Sequence, residues 1–202
     1  RYQSWCYQTL GTLYLKLGDT LNAIKIYDTV LKNRELPWAL LGKGQAFMMN
    51  QSYKEAIENF ESAIAINPNM VEAYDGLSDC YLKLGQSKTA QESLQIAVSL
   101  SPRMIPRQEK LGSICHKNQD IESAAQAFRH AIKYGEHSIY DKVDNYLNLG
   151  RSLSDWCEGD LSPEGKSRAD EAISVLEAIT NKFSLDENAC INSSLIEARV
   201  FT

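Results

Sequence analysis

Along the chain an alanine recurs with a large side chain four residues later and a small or apolar one seven later: Ala23/Tyr27/Val30, Ala56/Phe60/Ala63, Ala90/Leu94/Ala97 and Ala124/Phe128/Ala131. Successive alanines lie 33, 34 and 34 residues apart. A second series, Leu10-Gly11/Tyr14, Gly44/Phe47, Leu77-Ser78/Tyr81 and Leu111-Gly112/Cys115, runs at a fixed distance ahead of the first. Apolar residues within each period fall at i, i+3, i+4 and i+7, the spacing of one face of a helix. Each period is broken midway by Gly18-Asp19, Asn50-Gln51, Gly85-Gln86 or Asn118-Gln119-Asp120, which predict turns between antiparallel helices. Pro68 and Pro102 close two periods, because proline cannot continue a helix that it does not start.

Small and large residues therefore have separate tasks. Gly11, Gly44 and Gly112, with Ala56, Ala90 and Ala124, let paired helices approach closely, and Tyr14, Phe47, Tyr81 and Phe60 fill the space between successive pairs. One helix pair cannot bury its apolar face alone, so stability has to come from stacking on its neighbours. The pattern predicts an all-α chain, an α–α superhelix of antiparallel helix pairs, as a single domain over residues 1–202. The units span about 4–36, 37–70, 71–104 and 105–142, then a degenerate unit at 143–183 and a final helix at 187–201. The degenerate unit carries Tyr146, Leu149 and Gly150 on its first helix and a lengthened turn, SDWCEGDLSPEG. Its second helix is predicted to start at Ser162-Pro163, a serine cap followed by proline at the first helical position.

This pattern resembles the tetratricopeptide repeat, whose consensus W-x2-L-G-x2-Y is followed by alanine, a large aromatic, alanine and proline within one period. The unit from Pro37 matches with Leu40, Gly44, Phe47, Ala56, Phe60, Ala63 and Pro68, and the next with Tyr74, Leu77, Tyr81, Ala90, Leu94, Ala97 and Pro102. Departures are Lys43 for leucine, Ser78 for glycine, Gln108 for the first aromatic, and Glu35 and Glu136 for the closing proline. The resemblance implies a solenoid whose first helices line a concave groove that contacts a partner polypeptide at their second, fifth, ninth and twelfth positions. Carried onto this sequence, these give Trp5, Gln8, Trp38, Leu41, Gln45, Met48, Glu72, Asp75, Asp79 and Glu109 as candidate groove residues. Trp38, Leu41 and Met48 are expected side by side at an apolar end, with Glu72, Asp75, Asp79 and Glu109 converging in an acidic middle. The groove would suit a basic, amphipathic segment, while an adjoining part of the protein is the alternative occupant of the apolar patch and a solvated face the alternative reading of the acidic cluster. Members that take chaperone tails use a clamp of Lys and Asn; the matching positions here are Gln8, Thr12, Gly42, Glu72 and Gly76, so no such binding is expected.

Composition narrows the function further. With 44% hydrophobic and 23% charged residues over 202 residues, the chain can bury a core without metal or disulfide support. A net charge of −5 disfavours nucleic acid, whose affinity comes largely from Lys and Arg. No apolar run reaches the roughly 18 residues that suggest a membrane span. Cys6, Cys80, Cys115, Cys157 and Cys190 form no C-x-x-C pair, which argues against a disulfide framework or zinc site and for a reducing, cytoplasmic setting. Cys80 and Cys115 fall on packing positions. His116, His130 and His137 show no metal-ligand or catalytic spacing and are expected on the surface. Gly42-Lys43-Gly44 falls inside a predicted helix and is no phosphate loop. Neither catalytic residues, a metal nor a cofactor is expected.

The phrases RYQSWCYQTLGTLYLKLGDTLNAIKIYDTVL, WALLGKGQAF and LSPRMIPRQEKLG are similar to the helical-repeat region that follows a receiver domain in some proteobacterial response regulators. The chain starts without methionine and ends within an apparent helix, so it is expected to be a piece of something longer. The expected function is a protein-binding scaffold within a bacterial signal-transduction protein. Self-association through the degenerate unit and last helix is the alternative, and an accessory domain of an enzyme the more distant one.

Overall fold

The computed structural model describes residues 2–32 and 34–183. Among the described residues every regular element is a helix: α1 (Tyr2–Lys16), α2 (Thr20–Leu31), α3 (Pro37–Met49), α4 (Tyr53–Ile66), α5 (Val71–Lys83), α6 (Ser87–Leu100), α7 (Ile105–Lys117), α8 (Ile121–Gly135), α9 (Val143–Cys157) and α10 (Pro163–Lys182). The expected helix pairs are all present, and the final helix expected at 187–201 lies outside the described residues. The chain forms two compact units, Arg1–Ser101 and Pro102–Thr202.

In the first unit, each hairpin turn places one residue in the left-handed region: Gly18 at φ 76°, Gln51 at 62° and Gly85 at 77°. Glycine fits there without cost; Gln51 does so against the preference of a residue with a Cβ. The Asp19 side chain caps α2 by accepting from the Asn22 backbone N–H at 3.1 Å, which satisfies one of the orphan donors of the first turn. Helix packing is keyed by aromatic rings against glycine. Tyr27 of α2 lies between Gly11 of α1 and Gly42 of α3, and Phe60 of α4 lies between Gly44 of α3 and Gly76 of α5. A Cβ on Gly11 would stand 2.6 Å from the Tyr27 ring, and one on Gly44 2.6 Å from the Phe60 ring. α2 and α4 thus each present one ring to their own partner and to the next hairpin, and this double contact gives these hairpins their register. Phe47 and Tyr81 pack half-buried against the Phe60 cluster and do not fill its centre.

The second unit repeats the device with different residues. Phe128 of α8 covers Gly112 of α7, and Leu176 of α10 covers Gly150 of α9. Gln108, where the repeat favours an aromatic, is buried and donates from Nε2 to the Pro102 carbonyl at 2.8 Å. The hydrogen bond offsets part of the cost of placing an amide in the core. Arg129 on α8 forks onto Glu171 on α10 at 2.6 and 2.7 Å. Ser162 caps α10 as expected, accepting from the Gly165 N–H at 3.1 Å with Pro163 at the first helical position. The lengthened turn before it is pinned by an Asp160–Arg168 pair at 2.9 Å, and Arg168 stacks over Trp156 at 4.4 Å.

Candidate functional site

The first helices of the first unit, α1, α3 and α5, are successive neighbours. On α3 the helical period separates two sets of side chains. Ala39, Leu40, Gly42, Gly44 and Ala46 are buried, while Trp38, Leu41, Gln45 and Met48, at i, i+3, i+7 and i+10, remain partly exposed on one face. Trp38 packs edge-on against Tyr27, with ring centroids 6.4 Å apart at 69°. Leu41 and Met48 rest on the Phe60 cluster instead, so the expected apolar end stands on two aromatic supports. Lys43, on another face of α3, pairs with Asp28 at 2.7 Å and lies 5.7 Å over the Phe47 ring.

On α1, Trp5 and Gln8 are exposed and line an open depression of about 430 Å³ with Thr9, Thr12, Leu13 and Lys16. On α5, Glu72 is exposed, whereas Asp75 and Asp79 are half-buried and each engaged in an interaction. Glu109 belongs to the second unit, where it accepts from Asn145 Nδ2 at 2.9 Å and pairs with Lys142 at 3.4 Å. It is already committed to partners within that unit.

Two residues that sequence reasoning placed as groove positions have another task. Gly42 and Gly76 are buried and give way to the Tyr27 and Phe60 rings. Tyr27 itself was legible only as the large residue of its repeat. It forms the floor between α1 and α3, where burial raises its pKa and a hydrogen bond with Thr12 partly opposes the rise. The sequence signal for this arrangement was Gly11, already assigned to close helix approach; Gly42, fifteen residues after Tyr27, carried no signal of its own.

Among the described cysteines, Cys80 and Cys115 are packing residues: both are fully buried, and burial pushes the thiols up to about 11 and about 12. Such thiols remain protonated near neutrality and are poor nucleophiles. Cys190 lies outside the described residues. His130 and His137 are exposed as expected, but His116 is half-buried and lies 3.1 Å from Asp155 Oδ2, joining α7 to α9. The described residues contain no group of three or more His, Cys, Asp or Glu placed to hold a metal ion. No helix among them is long and apolar enough to cross a membrane.

Family models for the tetratricopeptide repeat match residues 9–71, 47–103 and 108–134. The chain carries tetratricopeptide repeats. It is similar to Hsp70-Hsp90 organizing protein 3 of Arabidopsis thaliana, 26% identical over 122 residues, which cover 60% of this chain and 22% of that protein. It also resembles the Hsp70-Hsp90 organizing protein of Triticum aestivum, 24% identical over 149 residues, covering 74% of this chain and 25% of the relative. The chain thus spans about a quarter or less of the length of these relatives. Among solved structures, MamA superposes with a TM-score of 0.65 over 90% of this chain and 95% of that one at 23% identity. YrrB, a tetratricopeptide-repeat protein with an unusual peptide-binding site, gives a TM-score of 0.63 over 84% of each chain at 21% identity. At these identities the structural likeness establishes the tetratricopeptide fold.

Proposed function

We propose that the α1–α3–α5 face of the first unit is a docking surface for a partner polypeptide, and that the chain acts as a non-catalytic scaffold. The observation that carries this reading is the division of α3. Its buried positions are small residues and Leu40, while Trp38, Leu41 and Met48 stay partly exposed on one face above an aromatic floor. Aromatic and methionine side chains held by a packed floor are good anchors, because their conformational entropy is spent before the partner arrives. Acidic Glu72, Asp75 and Asp79 on the adjoining helix favour a basic, amphipathic helical segment. YrrB's peptide-binding site supports the general role of such folds. Organising Hsp70 and Hsp90, as the two plant relatives are named for, is not carried over: Glu72 and Gly42 stand where a carboxylate clamp would need Lys and Asn.

The test is titration of a labelled basic amphipathic helical peptide. Trp38→Ala with Met48→Ala should weaken binding roughly tenfold or more, and Asp75→Lys with Asp79→Lys should weaken it and flatten its salt dependence. Equal affinity for all three proteins, each with unchanged circular dichroism, moves the site off this face. The finer reading, a scaffold within a bacterial response-regulator protein, rests on the phrase-level resemblance alone. A gene encoding a receiver domain in the same polypeptide supports it, and a gene without one removes it.

A further inference from the structure

The large side chain four residues after each repeat alanine is Tyr27, Phe60, Leu94 or Phe128, and Leu176 takes the same place in the last hairpin. Of these, Tyr27 alone carries a polar group. Stacking does not require one: Phe60 makes the same double contact, with Gly44 and Gly76, through a bare ring. Tyr27 is 2% exposed, and burying a phenol hydroxyl costs free energy unless it is hydrogen-bonded. The hydroxyl therefore marks a task beyond packing, and its surroundings show where that task lies.

It stands between the α1 and α3 backbones, 2.8 Å from where a Cβ on Gly11 would be and 2.6 Å from where one on Gly42 would be. Its partner is Thr12, an exposed residue at the ninth, groove-lining position of its repeat. Thr12 Oγ1 donates to the Gln8 carbonyl at 2.9 Å, so in this bond Tyr27 donates and Thr12 accepts. Two glycine backbones fix the plane of the ring but leave it free to slide between them, and the bond to Thr12 fixes its depth. Trp38 meets that ring edge-on at 6.4 Å and 69°, so the depth of Tyr27 sets the place of Trp38. Leu41 and Met48 rest on the Phe60 cluster, whose ring no hydrogen bond can hold.

We infer that the Tyr27 hydroxyl, tethered to Thr12, is a positioning group that holds Trp38 in the orientation the partner segment meets, needed for docking and dispensable for the fold. On the docking face proposed above, on which this rests, Trp38 is thus an anchor set by the neighbouring hairpin.

Tyr27→Phe keeps the ring, and Thr12→Val removes the acceptor at an exposed position, so neither should change the circular dichroism spectrum. With Trp5→Phe and Trp156→Phe in place, Trp38 is the sole tryptophan, and each of the two variants should lower its fluorescence anisotropy in the absence of ligand. In the otherwise unaltered chain each should weaken binding of the labelled basic amphipathic helical peptide roughly three- to tenfold. The two together should weaken it no more than either alone, since both remove the same bond. Thr29→Val, which removes a threonine with the same kind of backbone bond on α2, should change neither readout. Unchanged Trp38 anisotropy in both variants overturns the proposal, as do additive losses of affinity or variants that bind as the wild type does. A wild-type chain that binds no peptide removes the docking face and the docking half of the proposal with it, while the ligand-free anisotropy still decides whether the tether holds Trp38.

Discussion

At residue scale the interior is governed by pairs in which one ring needs the absence of a side chain. A Cβ at Gly42 would meet the buried Tyr27 ring, which is held on its other side by Gly11 and cannot withdraw. Gly42→Ala should therefore destabilise the fold by about 1–3 kcal/mol, read as a lower urea midpoint with an unchanged slope. Ser78 presents the opposite case. It stands where the repeat favours glycine, is fully buried, and its hydroxyl has no hydrogen-bond partner. Ser78→Ala keeps the helix and removes the desolvated hydroxyl, so stability should rise by about 0.5–1 kcal/mol in the same titration. The alanine and aromatic series was legible because it recurs in phase. Gly42 and Gly76 were not, because their partners lie on a preceding helix and nothing in a period count says which glycine a ring will face.

At the scale of elements, pairing and caps followed from local chemistry: Asp19 and Ser162 cap where a short polar side chain precedes a helical period. The loop between α8 and α9 shows in the sequence only through the longer span of the 105–142 unit. Its structure comes from distant residues. Lys182, at the end of α10, lies 2.7 Å from Asp141 Oδ2 and donates to the Tyr146 hydroxyl at 2.9 Å, and that hydroxyl donates to Asp141 Oδ1 at 3.0 Å. Burial pushes the Asp141 carboxyl up, but Lys182, Tyr146 and the His137 N–H together hold it below its ordinary value, while Asp141 and Tyr146 raise Lys182. A lowered carboxylate contributes stability above its unfolded pKa and loses it as pH falls through the folded one. The raised ammonium contributes below its unfolded pKa and is lost only at high alkalinity. The latch is thus whole across neutral pH and fails in acid, below about pH 4. Lys182→Met should cost on the order of 1–2 kcal/mol at neutral pH. The difference from wild type should shrink as the pH is lowered through that range, measured by thermal unfolding at fixed ionic strength.

At the scale of the whole molecule, the question is which partners the repeats can take and which they refuse. An acidic C-terminal peptide of the kind held by a Lys–Asn clamp would meet a different set of groups here. The exposed Glu72 carboxylate repels it, Gln8 and Thr12 supply no positive charge, and the Thr12 hydroxyl already donates to the Gln8 carbonyl at 2.9 Å. At Gly42 there is no amide to offer, and the Tyr27 ring fills the space that one would occupy. The deficit is therefore steric as well as electrostatic. Fluorescence anisotropy with such a peptide should show a Kd weaker than about 1 mM. Glu72→Lys alone should improve this by less than tenfold, because reversing one charge leaves the buried glycine and its ring in place. A micromolar complex with the unaltered chain would show that the acidic helix α5 does not set the sign of the ligand, and would redirect the search for a partner from basic to acidic segments.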